Sequence, residues 1–138
     1  MNPDTAKDPV KAVLDTNILI SALVYGGKPK QILELTLSQR IKAFISNPIL
    51  SEFVDVLLRK FHYSESQVYV LERKIKESFR VVYPTLSVSI LEDEPDNRVL
   101  EAALTAGADF IVTGDKELLN LNSFRSIKIL SAADFPVL

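Results

Sequence analysis

Short apolar runs recur along this chain between longer stretches whose apolar residues are three and four apart, and that alternation constrains the fold more than any other feature. Val10-Lys11-Ala12-Val13-Leu14 lies between Pro9 and Asp15, and Ala43-Phe44-Ile45, Val81-Val82-Tyr83, Phe110-Ile111-Val112-Thr113 and Ile127-Lys128-Ile129-Leu130 follow it. Runs this short, apolar on successive residues and bounded by turn formers, predict strands buried on both faces. Between them the spacing is helical. Asn17 caps a helix carrying Ile18, Leu19, Ala22 and Leu23, stopped by Gly26-Gly27, and Pro29 opens a second with Ile32, Leu33, Leu35 and Leu37. Asn47-Pro48 starts a third whose stripe runs through Leu50, Phe53, Val54, Leu57, Leu58 and Phe61. Ser64 with Gln67 forms a capping box for a fourth, with Val68, Leu71, Ile75 and Phe79 as its buried face. The acidic loop from Leu91 to Asn97 delivers Asp96 as the cap of a fifth, which Gly107 ends, and Lys116 to Leu121 is a short sixth. Strands alternating with helices imply an α/β fold, a mostly parallel sheet covered on both faces.

The remaining bounds remove competing chemistry. The chain is 138 residues long, which makes residues 1–138 one domain, with the polar start through Pro9 as a flexible extension. It has no cysteine, which excludes disulfides, thiolate zinc sites and a cysteine nucleophile, and suits a cytoplasmic setting. No run approaches the ~18 apolar residues of a membrane span. The formal charge is −2, so a polyanion would be held only by local contacts or through a metal. His62, the single histidine, stands between Phe61 and Tyr63 at a helix end and reads as structural.

Four carboxylates stand out by position. Asp15 and Asp115 directly follow strands, Glu52 lies in the second turn of a helix leaving a strand, and Asp96 begins a helix that feeds one. Ligands of open parallel sheets bind outside the carboxyl ends of the strands, which brings all four toward one edge. Two carboxylates ~4 Å apart repel by roughly 4 kcal/mol at an effective dielectric near 20, so such a cluster takes up protons or cations. Oxygen-only ligands favour magnesium or manganese, and those ions promote phosphodiester hydrolysis. Each acid also has a plainer reading: Asp15 and Asp96 as caps, Asp115 as a turn residue, Glu52 as part of a solvated face with Asp55 and Arg59, and Glu92, Asp93 and Glu94 as a solvated loop. Lys28, Lys30, Arg40, Arg59, Lys60 and Arg98 are candidate phosphate contacts or ordinary surface, and Lys116 has the same two readings.

Taken in order, the segments Val13-Leu14-Asp15-Thr16-Asn17, Ser51-Glu52-Phe53, Asp96-Asn97-Arg98-Val99-Leu100-Glu101-Ala102-Ala103 and Val112-Thr113-Gly114-Asp115 resemble the PIN-domain ribonucleases. The resemblance is closest to the PIN-family toxin components of toxin-antitoxin systems, and it spans about Val10 to Leu130. It implies a Rossmann-like α/β/α sandwich and endonucleolytic cleavage of RNA with one or two magnesium or manganese ions. Asp15, Glu52, Asp96 and Asp115 become the catalytic, metal-binding acids, and Asn17 and Thr113 the polar helpers that orient ligands or the attacking water. An antitoxin partner and a homodimer follow from the same resemblance. One position departs from it. Relatives often carry a second acid directly after the helix-start aspartate, and this chain has Asn97, which implies a weaker second-metal site unless Asp93 compensates.

Two other functions are consistent with parts of the pattern. An aspartyl-phosphate phosphatase of the haloacid-dehalogenase type would use Asp15 as nucleophile, but it needs an acid two residues later, where Asn17 stands. A non-catalytic module binding RNA or protein would keep the fold without needing all four acids.

Overall fold

The computed structural model describes residues 8–136. The expected N-terminal extension therefore lies, for residues 1–7, outside the described residues. The chain runs through β1 (Val10–Leu14), α1 (Thr16–Val24), α2 (Gly27–Leu37), β2 (Ile41–Ser46), α3 (Asn47–Arg59), α4 (Glu65–Ser78) and β3 (Arg80–Val82). It continues through α5 (Glu94–Ala106), β4 (Phe110–Val112), α6 (Lys116–Leu121), β5 (Ser123–Phe124) and β6 (Ile127–Leu130).

The strands form one sheet in the order β3-β2-β1-β4-β6-β5. All neighbours are parallel except β5 and β6, so the fold is the mostly parallel, helix-flanked α/β sheet that the alternation predicts. The interior strands are buried as their continuous apolar runs require: Ala12, Val13, Leu14, Ile45, Ile111 and Val112 have no exposed surface. The chain lays down β1, β2 and β3 outward in one direction, and α5 then returns it to β4 on the other side of β1. The winding therefore reverses between β1 and β4, where binding crevices form at the carboxyl ends of the strands.

Several element ends differ from expectation. Asp15, not Asn17, caps α1, its carboxylate accepting from the Thr16 amide at 2.7 Å. The glycine pair expected only to stop α1 also starts α2, because Gly26 takes φ 80° as its cap and the helix begins at Gly27, before Pro29. Asp93, not Asp96, stands at the cap of α5. Pro95 lacks an N–H and fits the first turn of a helix, so α5 begins ahead of it and Asp96 falls inside that turn. Asn97, Leu100 and Glu101 are buried on the same helix. The Ser64–Gln67 capping box forms in both directions, and Gly107 ends α5 in the left-handed conformation with φ 63°. Among the described residues no helix is long and apolar enough to cross a membrane.

Strand β5 was not legible in the sequence. Ser123 and Phe124 pair with Lys128 and Ile127 across a two-residue turn in which Arg125 and Ser126 take φ 47° and 71°. Positive φ at both positions marks the tight hairpin that Asn-Gly usually signals, and an arginine and a serine hide it.

Candidate metal centre at the strand ends

Strand β1 ends at Leu14, and the next residue is held in place from several directions at once. The Asp15 amide donates to the Val112 carbonyl at 2.9 Å, tying the end of β1 to the end of β4. Its carboxylate accepts from Thr16 N at 2.7 Å, Thr113 Oγ1 at 2.7 Å and Asn17 Nδ2 at 3.1 Å. The Thr113 hydroxyl in turn accepts from the Asp115 amide at 3.0 Å, and Asn17 Oδ1 accepts from the Gly114 amide at 3.0 Å. Asp115 caps α6 by accepting from Glu117 N and Leu118 N, so it serves as the turn residue of its plainer reading and as a wall of the cleft together. Thr113 and Asn17 thus couple the two strand-end acids.

A cleft of about 340 Å³ opens over this junction, and Asp15, Glu52, Asp93, Asp96 and Asp115 all line it. The four acids singled out in the sequence are brought together, and a fifth joins them. Asp93, Asp96 and Asp115 form the tightest group, each offering an oxygen within 4.8 Å of the others, while Asp15 and Glu52 form the adjoining wall. Asp93 is exposed, as a solvated loop residue would be, yet its cap position at α5 turns it to the same cleft.

Burial and crowding leave their mark on the charges. Burial pushes the Asp15 carboxyl up to about 6, against the hydrogen bonds from Thr113 and Thr16, and the charges of Glu52 and Asp115 add to the rise. Asp96 is pushed up to about 8, by burial first, then by the nearby Asp115 carboxyl, which favours its protonated form, and by the charges of Asp15 and Asp93. Asp96 Oδ2 is buried and has no hydrogen-bond partner among the described residues. An all-oxygen set with one unsatisfied carboxylate oxygen fits a hard divalent cation, which would supply the missing contact and offset the repulsion.

Asn97 has a different task from the one its position suggests. It is fully buried, its Oδ1 accepts from Leu91 N at 3.0 Å, and its Nδ2 donates to Leu91 O at 2.8 Å. It does not line the cleft, so the residue that departs from the motif braces the loop ahead of α5. Of the basic residues considered as phosphate contacts, Lys60 lines the cleft, with Phe61 beside it. Lys116 and His62 do not, and His62 turns the chain with φ 56°. Lys60 follows Glu52 and Val56 at four-residue steps on one face of α3, so helical spacing carries it to the cleft, and Phe61 adjoins it at the helix end. At the place where a phosphatase needs its general acid, Asn17 carries an amide already bonded to Asp15 and Gly114.

Comparison with known proteins bears on the family and the fold. The sequence matches the family model described as PIN domain over residues 11–117. It is 32% identical over 120 residues to the uncharacterised protein MJ1680 of Methanocaldococcus jannaschii, spanning 83% of this chain and 77% of that one. The fold is similar to that of VapBC2 from Rickettsia felis, solved bound to a DNA fragment from their promoter, with TM-score 0.61, 14% identity, and coverage of 88% of this chain and 98% of that one. It is also similar to the PIN domain endonuclease Utp24, with TM-score 0.53, 22% identity, and coverage of 91% and 86%. The match over residues 11–117 contains all five cleft acids, and the chain belongs to the PIN domain family, a family of nucleases.

Proposed function

We propose that this protein is a metal-dependent endoribonuclease that hydrolyses RNA phosphodiester bonds with magnesium or manganese. The observation that carries the reading is the convergence of five acids on one cleft at the reversal of the sheet, with a buried Asp96 oxygen left unpartnered among the described residues. Asp93, Asp96 and Asp115 would hold the ion, with Asp15 and Glu52 completing the anionic wall. A bound ion would supply polarisation of the scissile phosphoryl group and a counter-charge for the leaving oxygen. The chain's own residues do the positioning. Thr113 and Asn17 fix the Asp15 carboxylate, the Thr113 hydroxyl links it to the Asp115 backbone, and Lys60 offers a cation at the rim for a neighbouring phosphate.

Cleavage of a fluorescent single-stranded RNA with manganese tests this, with Asp96→Asn as the control. Asparagine keeps the shape and sacrifices no existing Oδ2 hydrogen bond, so the variant should fold while losing activity by about 100-fold or more, the scale of losing a well-placed charged group. Manganese should raise the melting temperature of the wild type and not of the variant, through binding linkage. Equal shifts in both proteins would sink the metal centre. Hydrolysis of a small phosphate ester without cleavage of RNA would favour a phosphatase instead.

The same reading assigns the protein to the toxin half of a toxin-antitoxin pair, on the sequence resemblance and the likeness of fold to VapBC2. It carries an antitoxin partner and a homodimer. Tyr69 and Val70, exposed on α4, are apolar surface that a partner would cover. Sedimentation of the purified protein should give twice the chain mass, and a monomer at micromolar concentration would remove the homodimer.

A further inference from the structure

Beside the acid cleft, a smaller cavity of about 230 Å³ lies at the ends of β2 and β3, built from residues that the chemistry above does not use. We propose that it is a nucleobase subsite, taking one base of the RNA strand so that cleavage depends on base identity at one fixed position from the scissile bond. The proposal rests on the ribonuclease reading.

The size and walls favour a single ring system. The cavity lies below the ~300–1,000 Å³ of sites for drug-sized ligands. Pro48, Val82 and Pro84 give it apolar sides, and Tyr83, 69% exposed, stands at its rim as a surface on which a base can stack. Two of the polar atoms on the lining residues are unpartnered. Ser46 occupies the cap position of α3, where a serine ordinarily accepts from the first-turn amides, yet it makes no such bond. Its hydroxyl is buried without a partner among the described residues, and Arg98 Nε is in the same condition. Both residues line the cavity, and a base edge would supply the partners that these two buried groups lack.

The charge pattern argues against a phosphate in this cavity. The Arg98 guanidinium is already engaged by Glu101 at 2.9 Å and by Glu94 at 3.2 Å, and its Nη2 also donates to the Val88 carbonyl at 3.1 Å. With two carboxylates on one guanidinium, the local field does not attract an anion. The cavity is also connected to the acids. A shallow depression between α3 and α5 shares Glu52 and Pro95 with the acid cleft, and Pro48 and Arg98 with the cavity. The acid cleft and the cavity therefore both adjoin this depression, on the side from which a strand held at the acids would approach Ser46.

The test sequences the products of a randomised single-stranded RNA pool cut by wild type, Ser46→Ala and Tyr83→Ala. Because Ser46 makes no capping bond, its alanine variant should melt within about 2 °C of wild type, less than the loss of a functioning cap produces. Wild type should prefer one base about fivefold or more at one position, the discrimination that a hydrogen bond supplies, and Ser46→Ala should flatten it while total cleavage stays within about twofold. Tyr83→Ala should raise KM with kcat kept. A wild type without base preference, or a Ser46→Ala variant that retains it, overturns the subsite. If wild type cuts no RNA, the ribonuclease reading has failed, and titration with the four uncharged ribonucleosides decides the cavity separately. Saturable amide shifts at Ser46, Asn47, Val82 and Tyr83 that disappear in Ser46→Ala would support it, and their absence would overturn it.

Discussion

Asp96 and Asn97 are adjacent on α5, and a single residue step around the helix gives them different surroundings. Asp96 faces other carboxylates and holds its proton to about 8, whereas Asn97 is saturated by both polar groups of Leu91. A carboxyl whose folded-state pKa is raised binds its proton more tightly folded than unfolded, so its destabilising effect grows as pH rises from the ordinary range toward the folded value. Asp96→Asn should therefore raise the metal-free melting temperature near pH 8, by roughly 4 °C for each ~1 kcal/mol relieved, and leave it unchanged near pH 4, as a calorimetric pair of scans will read. Asn97→Asp should do the reverse. It places a carboxylate oxygen against the Leu91 carbonyl that Nδ2 now reaches at 2.8 Å, and should cost about 1–3 kcal/mol without tightening manganese binding. A gain in manganese affinity would show that the position belongs to the metal centre. At this scale the sequence identified Asp15, Glu52, Asp96 and Asp115 as candidates from their places after strands and in the first or second turn of a helix. It left Asp93 open between a solvated loop residue and a compensating ligand, because an exposed loop acid and a cleft acid are the same residue until Pro95 sets where the helix begins.

At the scale of elements, α5 is the organiser. One face is core, through Val99, Leu100, Ala102 and Ala103, and the other holds the segment between β3 and the helix. Glu101 Oε2 accepts from Val88 N at 2.8 Å, Arg98 donates to Val88 O, and Asn97 clamps Leu91, while Glu117 of α6 takes the Glu92 amide at 2.8 Å. The irregular segment is thereby fastened at Val88, Leu91 and Glu92, and Asp93 arrives at the cleft fixed. Glu101→Ala should cost about 1–3 kcal/mol by leaving the Val88 amide without its acceptor and taking one of two carboxylates from Arg98. Hydrogen exchange should show faster exchange at Val88 and Leu91 with β1 and β4 still protected; uniform protection would place the anchoring elsewhere. Thr113→Val tests the link between strand ends, since it removes both hydrogen bonds of that hydroxyl at nearly constant volume. Metal-dependent RNA cleavage should fall by about tenfold or more, the effect of loosening a supporting contact around metal ligands. The capping box, the Gly107 stop and the strand β1 were legible because their signals are local. The Arg125-Ser126 hairpin was not, because positive φ there is imposed by the pairing of β5 with β6.

For the molecule as a whole, the sheet order gathers these acids, and their crowding makes metal-free stability depend on pH. Asp15 and Asp96 both have raised folded-state values, so the melting temperature without metal should fall as pH rises from about 5 to 8. Saturating manganese should flatten or reverse that slope, since binding requires the deprotonated acids. A metal-free profile that rises over the same interval would contradict the crowding. The sequence by itself determined the α/β class, the places of most strands and helices, and an ordered set of acids, because these follow from periodicity and from residue types within a few positions of one another. Only the tertiary structure decided that β4 returns beside β1, that Asp93 enters the cleft and Asn97 turns away from it, and that Ser46 and Arg98 share a second cavity. Those outcomes depend on contacts between residues far apart in the chain. Burial, pairing and repulsion at such distances act only when the packed fold brings the groups together.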